Sequence, residues 1–102
     1  MAGYVQIIEM QTSRRDELKQ LGDDYRAKRE ADGTGPMPLR SVMTQDRDRP
    51  GHYFTVVEFA SYEEAMENSS RPDTSDFAKQ MLAMCDAPPR FYNLDITDEW
   101  HR

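Results

Sequence analysis

The chain has 102 residues, with 13 Lys and Arg against 19 Asp and Glu, a formal net charge of −6 and a single cysteine. That length leaves room for one core, since domains cluster at roughly 100 to 150 residues, and the acidic balance argues against the basic face with which nucleic-acid binders hold phosphates. A hydrophobic fraction of 37% and a mean hydropathy of −0.90 leave no run near the ~20 apolar residues of a membrane span, and little apolar material for a lone stable domain, so a partner subunit is expected.

The first element is predicted over Tyr4 to Gln11, "YVQIIEMQ", a β-rich run that is apolar in both parities: Val5 and Ile7 on one face, Ile8 and Met10 on the other. Such a strand is covered on both sides. Ser13 is the expected cap of a helix, with Asp16 as its capping-box partner, and Leu18, Leu21 and Tyr25 fall on one helical face with Gly22 and Arg29 close by. Gly33 and the following "TGPMP" end that helix. "LRSVMTQ", Leu39 to Gln45, then alternates with period two, "DRDRPGH" is a charged turn, and "YFTVVEFA", Tyr53 to Ala60, completes a β-hairpin.

Ser61 and Glu64 form a stronger capping box for a second helix, which stalls at "NSSRP", Asn68 to Pro72, and restarts at Asp73 or Thr74. Its second half places Phe77, Met81 and Met84 at helical spacing, and "DAPP" stops it before a last strand over Arg90 to Thr97 and a tail "DEWHR". The order β-α-β-β-α-β is the ferredoxin-like split unit, an α+β fold with a four-stranded antiparallel sheet and the helices on one face. The other sheet face is left bare. A second copy packed face to face is the most economical cover.

Over its whole length, and through "SYEEAMENSSRPDTSDFAKQMLAMCDAPPRFYNLDI" above all, the chain resembles the dimeric α+β barrel superfamily, in its antibiotic-biosynthesis-monooxygenase-like branch. The resemblance rests on Ser61, Glu64 and Ala65 opening a short helix, a polar break, Phe77 in the second half and a prolyl turn into the final strand. It implies a homodimer with a small-molecule pocket in each subunit, between sheet and helices, and, as one activity, a monooxygenase acting on aromatic or polyketide-like substrates. Haem-degrading relatives place a histidine on the second helix, where this chain has Asn68; the polyketide oxygenases use an Asn, Trp, Arg and Tyr set, whereas the lone tryptophan here is Trp100, in the tail. No cofactor and no metal is implied.

The break then supplies the catalytic candidates. An amide at Asn68 and a guanidinium at Arg71 are donors suited to negative charge developing on a carbonyl or enolate oxygen, with Tyr53 as the hydroxyl partner. The alternative is that Asn68 caps the short helix and Arg71 is solvated, Pro72 holding Arg71 extended. Tyr25, Tyr62, Phe77, Met81 and Tyr92 are the substrate-binding candidates, aromatic or adaptable side chains that suit a flat ligand. Tyr25, Tyr53, Phe77, Met81 and Tyr92 are expected to line the cavity, with Asn68 and Arg71 at its mouth. Glu9 and Glu58 interrupt apolar strands, as bases if buried and as ion-pair partners at a dimer face otherwise. His52 and His101 lack partners at metal-ligand spacing.

With Cys85 unable to form an intrachain disulfide and set among packing residues, and with no charged-then-apolar leader, the chain reads as cytoplasmic, with no nucleic acid or membrane among its partners. A non-catalytic ligand-binding or interaction protein of the same fold is the competing reading. A Tyr-Asn-Arg cluster facing one cavity favours the enzyme. A layer filled by Phe77, Met81 and Phe91 favours the binder.

Overall fold

The computed structural model describes residues 3–102. Strand β1 (Tyr4–Gln11) is followed by helix α1 (Arg15–Asp32), the hairpin β2 (Arg40–Gln45) and β3 (His52–Phe59), helices α2 (Tyr62–Ser69) and α3 (Pro72–Ala83), and strand β4 (Arg90–Asp95). The sheet order is β2-β3-β1-β4 with every pairing antiparallel, the ferredoxin-like arrangement expected from the element order.

Side-chain parity decides what each sheet face carries. In β1 the buried residues are Tyr4, Ile8 and Met10, and Ile8 and Met10 pack with Leu18 of α1 and Met81 of α3, so the even-numbered side chains face the helices. A second cluster of Tyr4, Phe59 and Ala65 closes the other end beneath α2. Among the described residues, the odd-numbered face of β1 has no helix over it. Register places Val42, Val56, Ile7 and Tyr92 in one row across that open face, flanked by Phe54, Val5 and Leu94.

The helix ends explain where the elements stop. Ser61 accepts a hydrogen bond from the Glu64 amide at 3.2 Å, the N-cap expected there. Gly33 closes α1 in the left-handed region at φ 66°, also as expected. The start of α1 differs. Ser13 does not cap it; its hydroxyl turns to Asp86, and Thr12, 2% exposed, bonds the Arg14 amide while donating to the Met84 carbonyl at 2.6 Å. Thr12 thus ties the head of α1 to the tail of α3, a tertiary bond that outcompetes the local cap.

The break in the second helix is real. Helix α2 ends at Ser69, and α3 begins with Pro72 in its first turn, where a proline costs no hydrogen bond. Arg71 between them is extended at ψ 139°, the geometry that a following proline favours.

Candidate functional site

Beneath this joint lies a polar network centred on a residue of α1 that is not among the expected site residues. Arg29 is 2% exposed. Its Nη1 donates to the Tyr25 hydroxyl at 2.8 Å and to Asn68 Oδ1 at 2.5 Å, and its Nη2 to the Pro36 carbonyl at 2.6 Å. The Tyr25 hydroxyl in turn shares a hydrogen bond with Thr74 at 2.6 Å, and the Tyr25 ring stacks on Phe77 with centroids 4.4 Å apart. Helices α1 and α2 and the loop before β2 therefore meet at one guanidinium, and α3 joins the network through Tyr25.

The electrostatics of this centre are unusual. Among the described residues, Arg29 has only neutral oxygen partners, and its buried Nε–H has none. A buried cation without a counter-ion costs several kcal/mol of desolvation, and hydrogen bonds to neutral acceptors offset that only in part. Asp73 feels the field of Arg29, but its carboxyl is held below the usual range chiefly by the hydrogen bond from Arg71.

Arg71 is partly buried, and its guanidinium is paired. Its Nε and Nη2 grip Asp73 at 3.0 Å, Nη2 reaches Asp32 at 3.1 Å, and Nη1 donates to the Thr34 carbonyl at 2.8 Å. Gly35 makes this approach possible. A Cβ there would stand 2.5 Å from Arg71 Nη1 and 3.8 Å from Arg29 Nη2, so the two guanidiniums flank the same glycine. Arg71 clips the joint to the end of α1.

The expected site residues thus separate into groups. Asn68, Tyr25 and Phe77 come together around Arg29, and Arg71 lies at their edge. Asn68 is 9% exposed and bonds Arg29 through its side chain, so the capping role does not describe its place. Tyr53 also faces the helices, but it pairs with Met10 at the other end of the sheet. Met81 belongs to the filled core with Ile8, Met10 and Leu18.

Two tyrosines fall elsewhere. Tyr92 pairs with Ile7 on the open face, where its hydroxyl donates to Glu9 at 2.9 Å, so it does not line the helix side of the sheet. The shift of one residue between Phe91 and Tyr92 reverses the side, because strand side chains alternate. Tyr62 is 51% exposed and meets Tyr4 edge-on, outside the network. Part of the layer between sheet and helices is occupied by the packed side chains of Ile8, Met10, Leu18 and Met81. The depressions that stand out lie at the hairpin, beside Gln45, Asp46, Arg47 and Pro50, and on the open face, beside Arg40, Val42, Val56 and Glu58. Core methionines close one end of the layer and the Arg29 network the other.

A signal for Arg29 is present in the sequence. Leu18, Leu21, Tyr25 and Arg29 recur at spacings of three and four, so an arginine continues the buried stripe of α1. Thr74 and the Gly35-Pro36 loop carry no comparable signal.

No protein-family model and no curated protein matches the chain. Solved structures do. A candidate antibiotic biosynthesis monooxygenase from Caulobacter crescentus superposes with a TM-score of 0.77 at 16% identity, covering 95% of this chain and 92% of that one. One from Chloroflexus aurantiacus gives 0.71 at 18% identity over 97% of each chain. A mutant form of SnoaB, a cofactor-independent oxygenase from Streptomyces nogalater, gives 0.78 at 10% identity over 95% of each. By topology and by these superpositions, the chain has the ferredoxin-like fold of the antibiotic biosynthesis monooxygenase structures.

Proposed function

We propose that this protein is a cytoplasmic homodimer that binds a flat aromatic, polyketide-like molecule at the α2–α3 joint and oxygenates it without a cofactor. The observation that carries the reading is the network of Arg29, Tyr25, Asn68 and Thr74 beside the Tyr25–Phe77 stack. Stacked rings suit a planar ligand, and convergent donors suit an oxygen on which negative charge develops. The likeness to SnoaB supports the reaction type through the fold.

The chemistry needs little from the protein beyond this. A hydroxylated anthrone loses a proton from its ring methylene to give an enolate, with the charge held on oxygen by the donors. Dioxygen takes up the electrons of the activated carbon. One oxygen atom remains as the new carbonyl and the other leaves as water, so the ring carbon is oxidised, dioxygen is reduced and no external reductant enters.

An oxygen electrode with 1,8-dihydroxyanthrone and purified protein provides the test. The proposal expects dioxygen uptake above the spontaneous rate, with one dioxygen consumed for each quinone formed. Uptake at the spontaneous rate would sink the enzyme reading. The filled cluster of Ile8, Met10, Leu18 and Met81 favours the alternative of a non-catalytic binder; in that case the ligand would bind and dioxygen uptake would stay at background.

A further inference from the structure

Arg29 is more than a joint between helices. Tyr25, Asn68 and Pro36 satisfy Nη1 and part of Nη2, leaving Nε–H without an acceptor among the described residues. In a guanidinium, Nε–H and one Nη2–H point the same way and form the fork that grips a carboxylate or another delocalised oxyanion. One prong of that fork is empty. The carboxylates nearby, Asp32 and Asp73, are committed to Arg71.

We infer that Arg29 is the anion-binding group of the site, and that its unpartnered Nε–H takes a delocalised oxyanion of the ligand, so the substrate class is an acidic flat aromatic. This rests on the small-molecule reading above and narrows it. Because that N–H is shielded, entry requires the α2–α3 joint to part, and the clip formed by Arg71 with Asp32 and Asp73 is what holds it shut. The protein as a whole carries a formal charge of −6, so its long-range field opposes an anion. A preference for an anion over its neutral isostere is therefore local in origin.

Calorimetric titration of the full-length protein with 2-naphthoate and with 2-naphthamide, of the same shape but neutral, tests this directly. Wild type is expected to bind the anion at least about tenfold more tightly than the amide. Asn68→Asp places a carboxylate where the amide oxygen now lies 2.5 Å from Arg29. That internal counter-ion should hold the fold and erase the preference, as should Arg29→Gln if it folds. A merely structural arginine, or one whose Nε is met by a buried water, would leave the two ligands equal in wild type and overturn the assignment alone. Persistence of the preference in Asn68→Asp would overturn it as well. Binding of neither probe would remove the small-molecule reading, and this assignment with it.

Discussion

Asn68 gives the most direct residue-scale consequence. Its Oδ1 is one of the neutral acceptors that make a buried Arg29 tolerable, so Asn68→Ala leaves a further guanidinium N–H unanswered. Urea unfolding should show a loss of about 1–3 kcal/mol, the range for a buried donor stripped of its acceptor. A change within about 0.5 kcal/mol would mean that water replaces the amide. Arg71 makes a different prediction, through pH. Asp73 is held below its usual range first by Arg71, and Asp32 first by Thr34 and next by Arg71. Stabilisation from depressed carboxyls is complete above their unfolded pKa of about 3.9 and is lost as pH falls through the lower folded values. Arg71→Ala should therefore be less stable than wild type at about pH 6, with the gap narrowing below about pH 4. A gap independent of pH would show that only the uncharged bond to the Thr34 carbonyl matters. Cys85 adds a chemical check. Burial, and then Asp86, raises its thiol above the usual range, so alkylation by iodoacetamide at neutral pH should be slow until the protein unfolds.

At the scale of elements, the loop between α1 and β2 is as much a part of the site as the helical joint. Gly35 has φ 75° and Gly33 φ 66°, both in the region where a side chain costs about 1–2 kcal/mol. A Cβ on Gly33 would meet open space, whereas one on Gly35 would push Arg71 off the loop. Gly35→Ala should therefore destabilise more than Gly33→Ala, with thermal melts of the pair as the comparison. Equal losses would show that the Arg71 clip contributes nothing. The elements are largely legible in the sequence because the signals are local: period-two runs for the hairpin, Ser61 at an N-cap, Gly33 at a C-terminus, Pro72 restarting a helix. What escapes is tertiary. Thr12 replaces Ser13 at the head of α1 because the Met84 carbonyl needs a donor, and no local pattern reports that. The face of Tyr92 is misjudged from sequence because β4 is exposed along most of its length, so burial gives its parity little contrast. Arg29 is visible as a charged member of an apolar stripe, yet its role depends on Asn68 and Pro36, which the fold brings from distant places in the chain.

For the molecule as a whole, the open sheet face is the dominant feature. Val5, Ile7, Val42, Phe54, Val56, Tyr92 and Leu94 share it, and Leu94 is 43% exposed in the single chain. Glu9 is met there by Tyr92, and Glu58 sits opposite Arg40, so the charges lie beside the apolar row without breaking it. Trp100, 81% exposed, adds apolar surface in the tail. An apolar face of this kind is what a twofold partner would cover, and a homodimer paired through this face is the arrangement we propose. Light scattering should give about twice the 11.9 kDa chain mass, and Ile7→Asp, at the centre of the row, should shift it toward monomer. A wild type that remains monomeric at micromolar concentration would contradict the pairing. No helix among the described residues is long and apolar enough to cross a membrane. The proposed ligand site lies on the other side of the sheet, and an NMR titration of isotopically labelled protein with 1,8-dihydroxyanthraquinone, which is not turned over, tests it. Shifts concentrated on Tyr25, Arg29, Asn68, Arg71 and Phe77 are the predicted result; shifts confined to the depression of Arg40, Val42, Val56 and Glu58, or none at saturating ligand, would contradict a site beneath the α2–α3 joint.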